Sequence, residues 1–304
     1  MGKKVNLFIV GAPKCGTTSL ANYLGESSHV FLPKIKEPHF FSNHILKESK
    51  QTYIRSFEQY NELYSSKEAL SSVYNIDASV WYYSHKKIAH QIFEYNPDAK
   101  IIFIIRNPID AIRSLYLHRA MALDENEKDI NKALLLEKHR KDGFYVPENL
   151  KSVTQGLYYT ENYSYLNKIK SYQEVFGAEN VKVLLFDMLV NDKVSLLEEV
   201  FGFLKIDYDL DQNVINQKYN EGLRYRNTKY NKIVKLIPKR IKQILKPKKF
   251  VLFDKKINSL FKKNDLFSEY NATTKEILSN LYLPQLDALE VLLDINLKEW
   301  KAKY

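Results

Sequence analysis

The stretch that most constrains this chain is Val5 to Leu24, VNLFIVGAPKCGTTSLANYL. A strand-forming run, Val5, Leu7, Phe8, Ile9 and Val10, stops at Gly11, and Leu20, Ala21, Tyr23 and Leu24 resume an apolar pattern at helical spacing. Between them lies a tight turn that carries Lys14, Gly16 and the hydroxyls of Thr17, Thr18 and Ser19. Strand, glycine-bounded loop and helix together predict an anion cradle, because the first N–H groups of a helix are unpaired and its dipole presents a positive end there. Gly11 and Gly16 let the backbone wrap closely, Lys14 adds a point charge, and the hydroxyls add donors. Cys15, the single cysteine, excludes an internal disulfide, and with no base recognisable beside it a packing role is favoured over a nucleophilic one.

The lysine is displaced from its place in a nucleoside-triphosphate loop. Such a loop needs Gly-Lys-Ser/Thr, whereas here Gly16 is followed by Thr17 and Lys14 lies two residues before the glycine. A second anion site is predicted at Lys100 to His118, KIIFIIRNPIDAIRSLYLH. Its unbroken run Ile101 to Ile105 is the signature of a strand buried on both faces of a parallel sheet. Arg106 follows at the strand's C-terminal end, and Pro108 suits the first turn of a helix carrying Ser114 and His118. Ligands of open α/β sheets bind beyond the carboxyl ends of the strands, so Arg106 and Ser114 are expected on the same rim as Lys14. Two such sites suit a ligand with two separated anionic groups.

Between these stretches, Lys36-Glu37-Pro38-His39-Phe40-Phe41 sets an acid among a cation, a histidine and an apolar backing. That grouping suits a general base; a surface Lys36–Glu37 pair is the plainer alternative. The polar stretch 48–72 reads as helical, with Tyr53, Phe57, Tyr60 and Tyr64 as a packing stripe. A strand over 73–76 leads to Asp77-Ala78-Ser79, and a helix is expected over 84–95. Residues 121–153 read as an inserted loop region with a helix near 130–140, 156–176 as one tyrosine-rich amphipathic helix, 181–186 as a buried strand and 194–204 as a helix. The chain closes with a helix pair over 273–300 broken near Pro284.

At 304 residues and 45% hydrophobic the sequence supports ample core, and it is expected to form one domain. No apolar run approaches the roughly eighteen residues of a membrane span, and no leader is evident, so a soluble, cytoplasmic protein is expected. The net charge of +10 is concentrated in 229–263, which holds thirteen Lys/Arg against one acid, Asp254. There Ile233, Val234, Ile237, Ile241, Ile244 and Leu245 share a helical face opposite the cations. This basic helical segment reads either as a membrane-surface or polyanion contact or as a helix with a solvated lysine face. Nothing points to nucleic acid as a partner.

Taken together, GAPKCGTTSL, KEPHFF, IDAS at Asp77, RNPIDAIRSLYLH, LLFDML around Asp187 and the C-terminal ILSNLYLPQLDALEVLLDINLKEW resemble the sulfotransferases that use 3′-phosphoadenosine 5′-phosphosulfate (PAPS), in particular their carbohydrate-acting, heparan-sulfate-like and bacterial branch. The resemblance spans roughly Val5 to Trp300. It implies a P-loop-like three-layer α/β fold with a central, mostly parallel sheet flanked by helices, PAPS as donor, no metal, and a glycan or glycolipid acceptor. By the same resemblance Lys14, Cys15, Gly16, Thr17, Thr18 and Ser19 form the 5′-phosphosulfate loop, and Arg106 and Ser114 hold the 3′-phosphate. Glu37 is similar to the catalytic base and His39 to its helper, with Lys36 and His118 on the acceptor side and Arg226, or alternatively Arg224, as a later donor contact. One departure is Ser42, where some heparan-type enzymes carry an acid. Two rival readings are a P-loop kinase or NTPase with Asp77 or Asp187 as the magnesium acid, and a non-catalytic polyanion- or membrane-binding protein built on 229–263.

Overall fold

A computed structural model describes residues 2–43, 54–217, 219 and 269–304. Arg224, Arg226, Tyr53 and the basic segment 229–263 lie outside the described residues. Five strands, β1 (Leu7–Gly11), β2 (Val30–Phe31), β3 (Tyr74–Asp77), β4 (Lys100–Ile105) and β5 (Val181–Leu185), form one sheet. Their order is β2-β3-β1-β4-β5 and every pairing is parallel, so all carboxyl ends share one rim. This is the α/β sheet flanked by helices that the sequence predicts. In β1 every residue is buried, and in β4 Ile101 to Ile105 are all fully buried between neighbours on both sides.

Helix α1 (Thr17–Gly25) follows β1, and α2 (Phe57–Glu62) and α3 (Lys67–Ser71) precede β3. The single helix expected over 48–72 is thus two short ones among the described residues. Ser56 accepts from the Gln59 N–H and Ser66 from the Ala69 N–H, each side chain starting a new helix. Helix α4 (Lys86–Tyr95) leads to β4, and α5 (Pro108–Ala122) leaves it with Pro108 at the first turn, the Asn107 side chain accepting from the Ile109 N–H.

Beyond α5, residues 121–153 contain α6 (Ile130–Leu135) and α7 (Glu137–Lys141). They are held by an internal ion pair. The Arg140 guanidinium donates to both Glu125 carboxylate oxygens at 2.7 Å, with both side chains wholly buried. Tyr159 donates to the same carboxylate at 2.8 Å. The helix expected over 156–176 is broken into a 3-10 turn (Thr154–Leu157), α8 (Tyr159–Asn162) and α9 (Tyr165–Phe176). Its tyrosines send their hydroxyls to unrelated partners, Tyr159 to Glu125, Tyr163 to Pro13 and Tyr165 to Arg106, and local helix propensity yields to these contacts.

Strand β5 is an edge strand, half-buried at Lys182, Val183 and Leu185, where its apolar run predicted full burial. It runs directly into α10 (Phe186–Asn191), followed by α11 (Lys193–Leu204) and α12 (Gln212–Asn216). The predicted break at Pro284 is absent, since α13 (Ala272–Leu293) runs through it, and α14 (Lys298–Lys301) follows. Burial of Leu278 and Tyr282 before the proline and Leu286 and Leu289 after it holds the helix on the core. The Gln285 amide donates to the Leu281 carbonyl at 2.9 Å, supplying a side-chain donor at the weakened turn. No described helix is long and apolar enough to cross a membrane.

Candidate active site

All the motifs singled out in the sequence except the C-terminal one lie where a strand ends. The Lys14 loop follows β1, Glu37 and His39 follow β2, Asp77 closes β3, Arg106 follows β4 and Asp187 follows β5. The parallel topology therefore gathers the motifs on one rim. The loop itself is tied down by backbone contacts: the Ala12 N–H donates to Ile104 at 2.9 Å, and the Leu20 N–H opens α1 by donating to Gly16 at 3.0 Å. Gly16 has φ 95°, and a Cβ there would come within 2.8 Å of Leu189 and 3.0 Å of Phe186, so a side chain is excluded by both conformation and space.

Lys14 is half-buried at the turn. Burial, then Arg119 and Arg106, push its ammonium below the usual lysine range, with Glu37 opposing. His118 is pushed down to about 4 by burial and then by Lys14 and Arg119, so it is neutral near pH 7. Its Nδ1 is buried without a hydrogen-bond partner among the described residues. Lys14, Arg106, Arg119 and His118 thus form one electrostatically linked group. Cations brought together out of water repel one another, and the arrangement suits an anionic ligand that would relieve that repulsion.

Arg119 is a site residue that sequence reasoning missed. It is 7% exposed, pairs with Asp124 at 3.5 Å, and lies over the Trp81 ring at 5.7 Å. A Cβ on Gly156 would sit 2.3 Å from its guanidinium, so this glycine makes room for the cation. Nothing in the local pattern of α5 marks Arg119 apart from Arg113, which instead makes a two-pronged pair with Glu269 at 3.0 and 2.6 Å.

Glu37 is held from two sides. His39 Nε2 lies 3.1 Å from Oε2, and Lys36 Nζ lies 2.5 Å from Oε1. Burial pushes the Glu37 carboxyl up, but the His39 hydrogen bond and the Lys36 charge outweigh it and hold the group at about 2. The Lys36–Glu37 pair is partly buried, with the side chains 18% and 30% exposed, and His39 beside it is 4% exposed. His39 in turn rests on β3. Its N–H donates to Ser79 Oγ at 2.9 Å, and Ser79 Oγ donates to Asp77 at 2.5 Å. Ser42, the departure from the heparan-type pattern, is fully buried with its hydroxyl 3.4 Å from His39 Nδ1.

Asp77 also receives the Tyr60 and Tyr82 hydroxyls at 2.9 and 2.8 Å and the Ser79 N–H at 3.0 Å. Burial pushes its carboxyl up against the pull of these donors. Asp187 accepts from the Trp300 indole at 2.5 Å. Both acids that a magnesium-dependent NTPase would need are therefore engaged in structural hydrogen bonds. No group of three or more potential metal ligands occurs among the described residues.

Of the remaining candidates, Ser114 lies half-buried on α5, Thr17 is buried and Thr18 half-buried at the start of α1. The Ser19 hydroxyl donates to the Tyr219 carbonyl at 2.7 Å. Cys15 is fully buried, and burial pushes its thiol up to about 12, which keeps it protonated and agrees with a packing role. The structure also brings Tyr163 and Tyr165 against the loop, contacts that no sequence signal marked.

The profile of the sulfotransferase domain family matches residues 4–281. Among curated proteins, the bifunctional heparan sulfate N-deacetylase/N-sulfotransferase 1 of Xenopus laevis is 23% identical over 210 residues, covering 67% of this chain and 22% of that protein. Its Xenopus tropicalis counterpart matches equally. The chain thus corresponds to about a fifth of these relatives' length. A sulfotransferase from Alicyclobacillus acidocaldarius superposes with a TM-score of 0.70 at 26% identity, covering 98% of this chain and 99% of that one. With the strand-end loop, the rim of cations and the family profile all in register along it, the chain belongs to the sulfotransferase family.

Proposed function

We propose that this enzyme transfers the sulfuryl group of PAPS to a hydroxyl or amine of a carbohydrate acceptor, with Glu37 as general base. The observation that carries the reading is the linked group of Lys14, Arg106, Arg119 and neutral His118 facing the Glu37–His39 pair across one rim. These residues fit a donor with two anionic ends, one at the α1 N-terminus and one at Arg106 and Ser114. When bound, the donor supplies the activated sulfuryl group. Lys14, with the N–H groups of Gly16 to Thr18, would hold the 5′ end and stabilise negative charge growing on the leaving phosphate. Glu37 would accept the acceptor's proton, His39 would hold the carboxylate in place, and His118, neutral and with its Nδ1 unpartnered, would offer a hydrogen-bonding group to the acceptor. The His39 hydrogen bond and the Lys36 charge hold the free carboxyl at about 2, so weakening either contact on acceptor binding would raise its basicity. The similarity to the heparan sulfate N-sulfotransferases supports a glycan acceptor.

Thermal shift with adenosine 3′,5′-bisphosphate against Mg-ATP tests the donor assignment. At a hundredfold excess over Kd the bisphosphate adds about 2.7 kcal/mol of stability, whereas a shift with Mg-ATP alone would overturn the assignment. A pH profile tests the base. With Glu37 at about 2 and His118 at about 4, falling pH protonates neither near neutrality. The kcat/KM is therefore expected to stay flat from about pH 8 to pH 5. An acid limb in that range that persists unchanged in Glu37→Gln would move the base to another residue.

A further inference from the structure

The two candidate anion sites sit beyond neighbouring strands, yet the ladder between β1 and β4 ends with Gly11 opposite Phe103, and the last backbone bond across it runs from the Ala12 N–H to Ile104. Past that point a buried phenol takes over. Tyr165, 1% exposed at the start of α9, donates its hydroxyl to the Arg106 carbonyl at 2.9 Å and lies 3.7 Å from Cys15 Sγ in the Lys14 loop. The Arg106 N–H reaches the same oxygen at 3.4 Å. Its neighbour Tyr163, equally buried, packs edge-on against the Tyr165 ring but sends its hydroxyl to the Pro13 carbonyl of the loop at 3.0 Å and not to Arg106. A second aromatic spans both sites. The Arg106 guanidinium lies 4.7 Å from the centre of the Phe186 ring, and that ring closes on Gly16, where a Cβ would come within 3.0 Å.

We infer that Tyr165 is a positioning residue whose hydroxyl fixes the spacing between the Lys14 loop and Arg106, and thereby sets the preference for a nucleotide anionic at both its 3′ and 5′ ends. The inference rests on the PAPS reading. A ligand anchored at one end binds at the other as an intramolecular event, and the advantage survives only while the two sites match its span. Replacing Tyr165 by Phe removes the hydroxyl that joins Arg106 to the loop while keeping the ring that packs between them. The Lys14 loop retains its own ties through Tyr163 and the Ala12 N–H.

Titration calorimetry with adenosine 3′,5′-bisphosphate and adenosine 5′-monophosphate reads the effect as a ratio of affinities. Tyr165→Phe is expected to shrink that ratio about tenfold, the worth of one buried hydrogen bond of ordinary strength, and to raise the donor KM more than it lowers kcat. Tyr163→Phe is expected to weaken both nucleotides alike and leave the ratio at its wild-type value. A Tyr165→Phe protein that keeps the wild-type ratio, however much its melting point drops, overturns the inference. Should that variant fail to fold, Phe186→Leu reads the same ratio, and an unchanged value there overturns the inference equally. A wild-type protein that binds the bisphosphate no better than the monophosphate would instead refute the PAPS reading itself, a result visible before any variant is made.

Discussion

Glu37→Gln is expected to leave the affinity for adenosine 3′,5′-bisphosphate unchanged while lowering kcat by about 10²- to 10⁴-fold, the range of a lost general base. The substitution keeps shape and most contacts. The amide oxygen can still accept from His39 Nε2, and the Phe40–Phe41 backing is untouched. What disappears is the ability to take up a proton. Single-turnover transfer rates, set beside calorimetric affinities, separate that loss from a binding defect. If turnover persists at the wild-type rate, Glu37 has no part in the chemistry. Because His39 is set by Ser79, and Ser79 by Asp77, the carboxylate rests on the end of β3. That three-residue support ties the motif after β2 to the end of β3, the strand paired with β1, and it gives Asp77 a structural duty.

Arg140→Met is expected to cost about 3–5 kcal/mol of stability, the penalty for leaving a buried carboxylate without its counter-ion. Glu125 has no exposed surface on its side chain and meets Arg140 through both oxygens. Tyr159 and the Glu127 N–H supply the remaining hydrogen bonds but no charge. Urea denaturation measures the loss, and a paired Glu125→Leu, Arg140→Met variant should recover most of it, since a buried pair replaced by apolar groups is often near neutral. If the single and double variants lose equal stability, the cost comes from packing and not from the stranded charge. The pair also bears on the site. It anchors the chain just past Asp124, the partner of Arg119, so the tether between residues 121–153 and the cation cluster runs through adjacent residues.

The fold was largely legible because its signals are local. The apolar runs at 5–10 and 101–105 are buried strands, and the glycines and proline that punctuate them mark the turns where Lys14 and Arg106 emerge. Legibility failed where burial was decided by distant partners. The stretch 156–176 has helical periodicity, yet three of its tyrosines are drawn to Glu125, Pro13 and Arg106, which no periodicity can report. The same reason hid Arg119. A charged residue on a helix reads as solvent-facing unless the glycine that admits it, Gly156, and the ring beneath it, Trp81, are already known to be there.

The sequence by itself determined the kinds of groups available and the strand ends that carry them: a displaced loop lysine, an arginine after the longest buried strand, and a glutamate two residues before a histidine. Tertiary structure alone decided how these groups act on one another. It set the parallel order that places all five strand ends on one rim with β1 at its centre, the burial that drives His118 neutral and lowers the Lys14 pKa, and the phenol that joins the loop to Arg106. Side-chain identity travels along the chain, whereas desolvation and distance between charges exist only once remote segments are packed together.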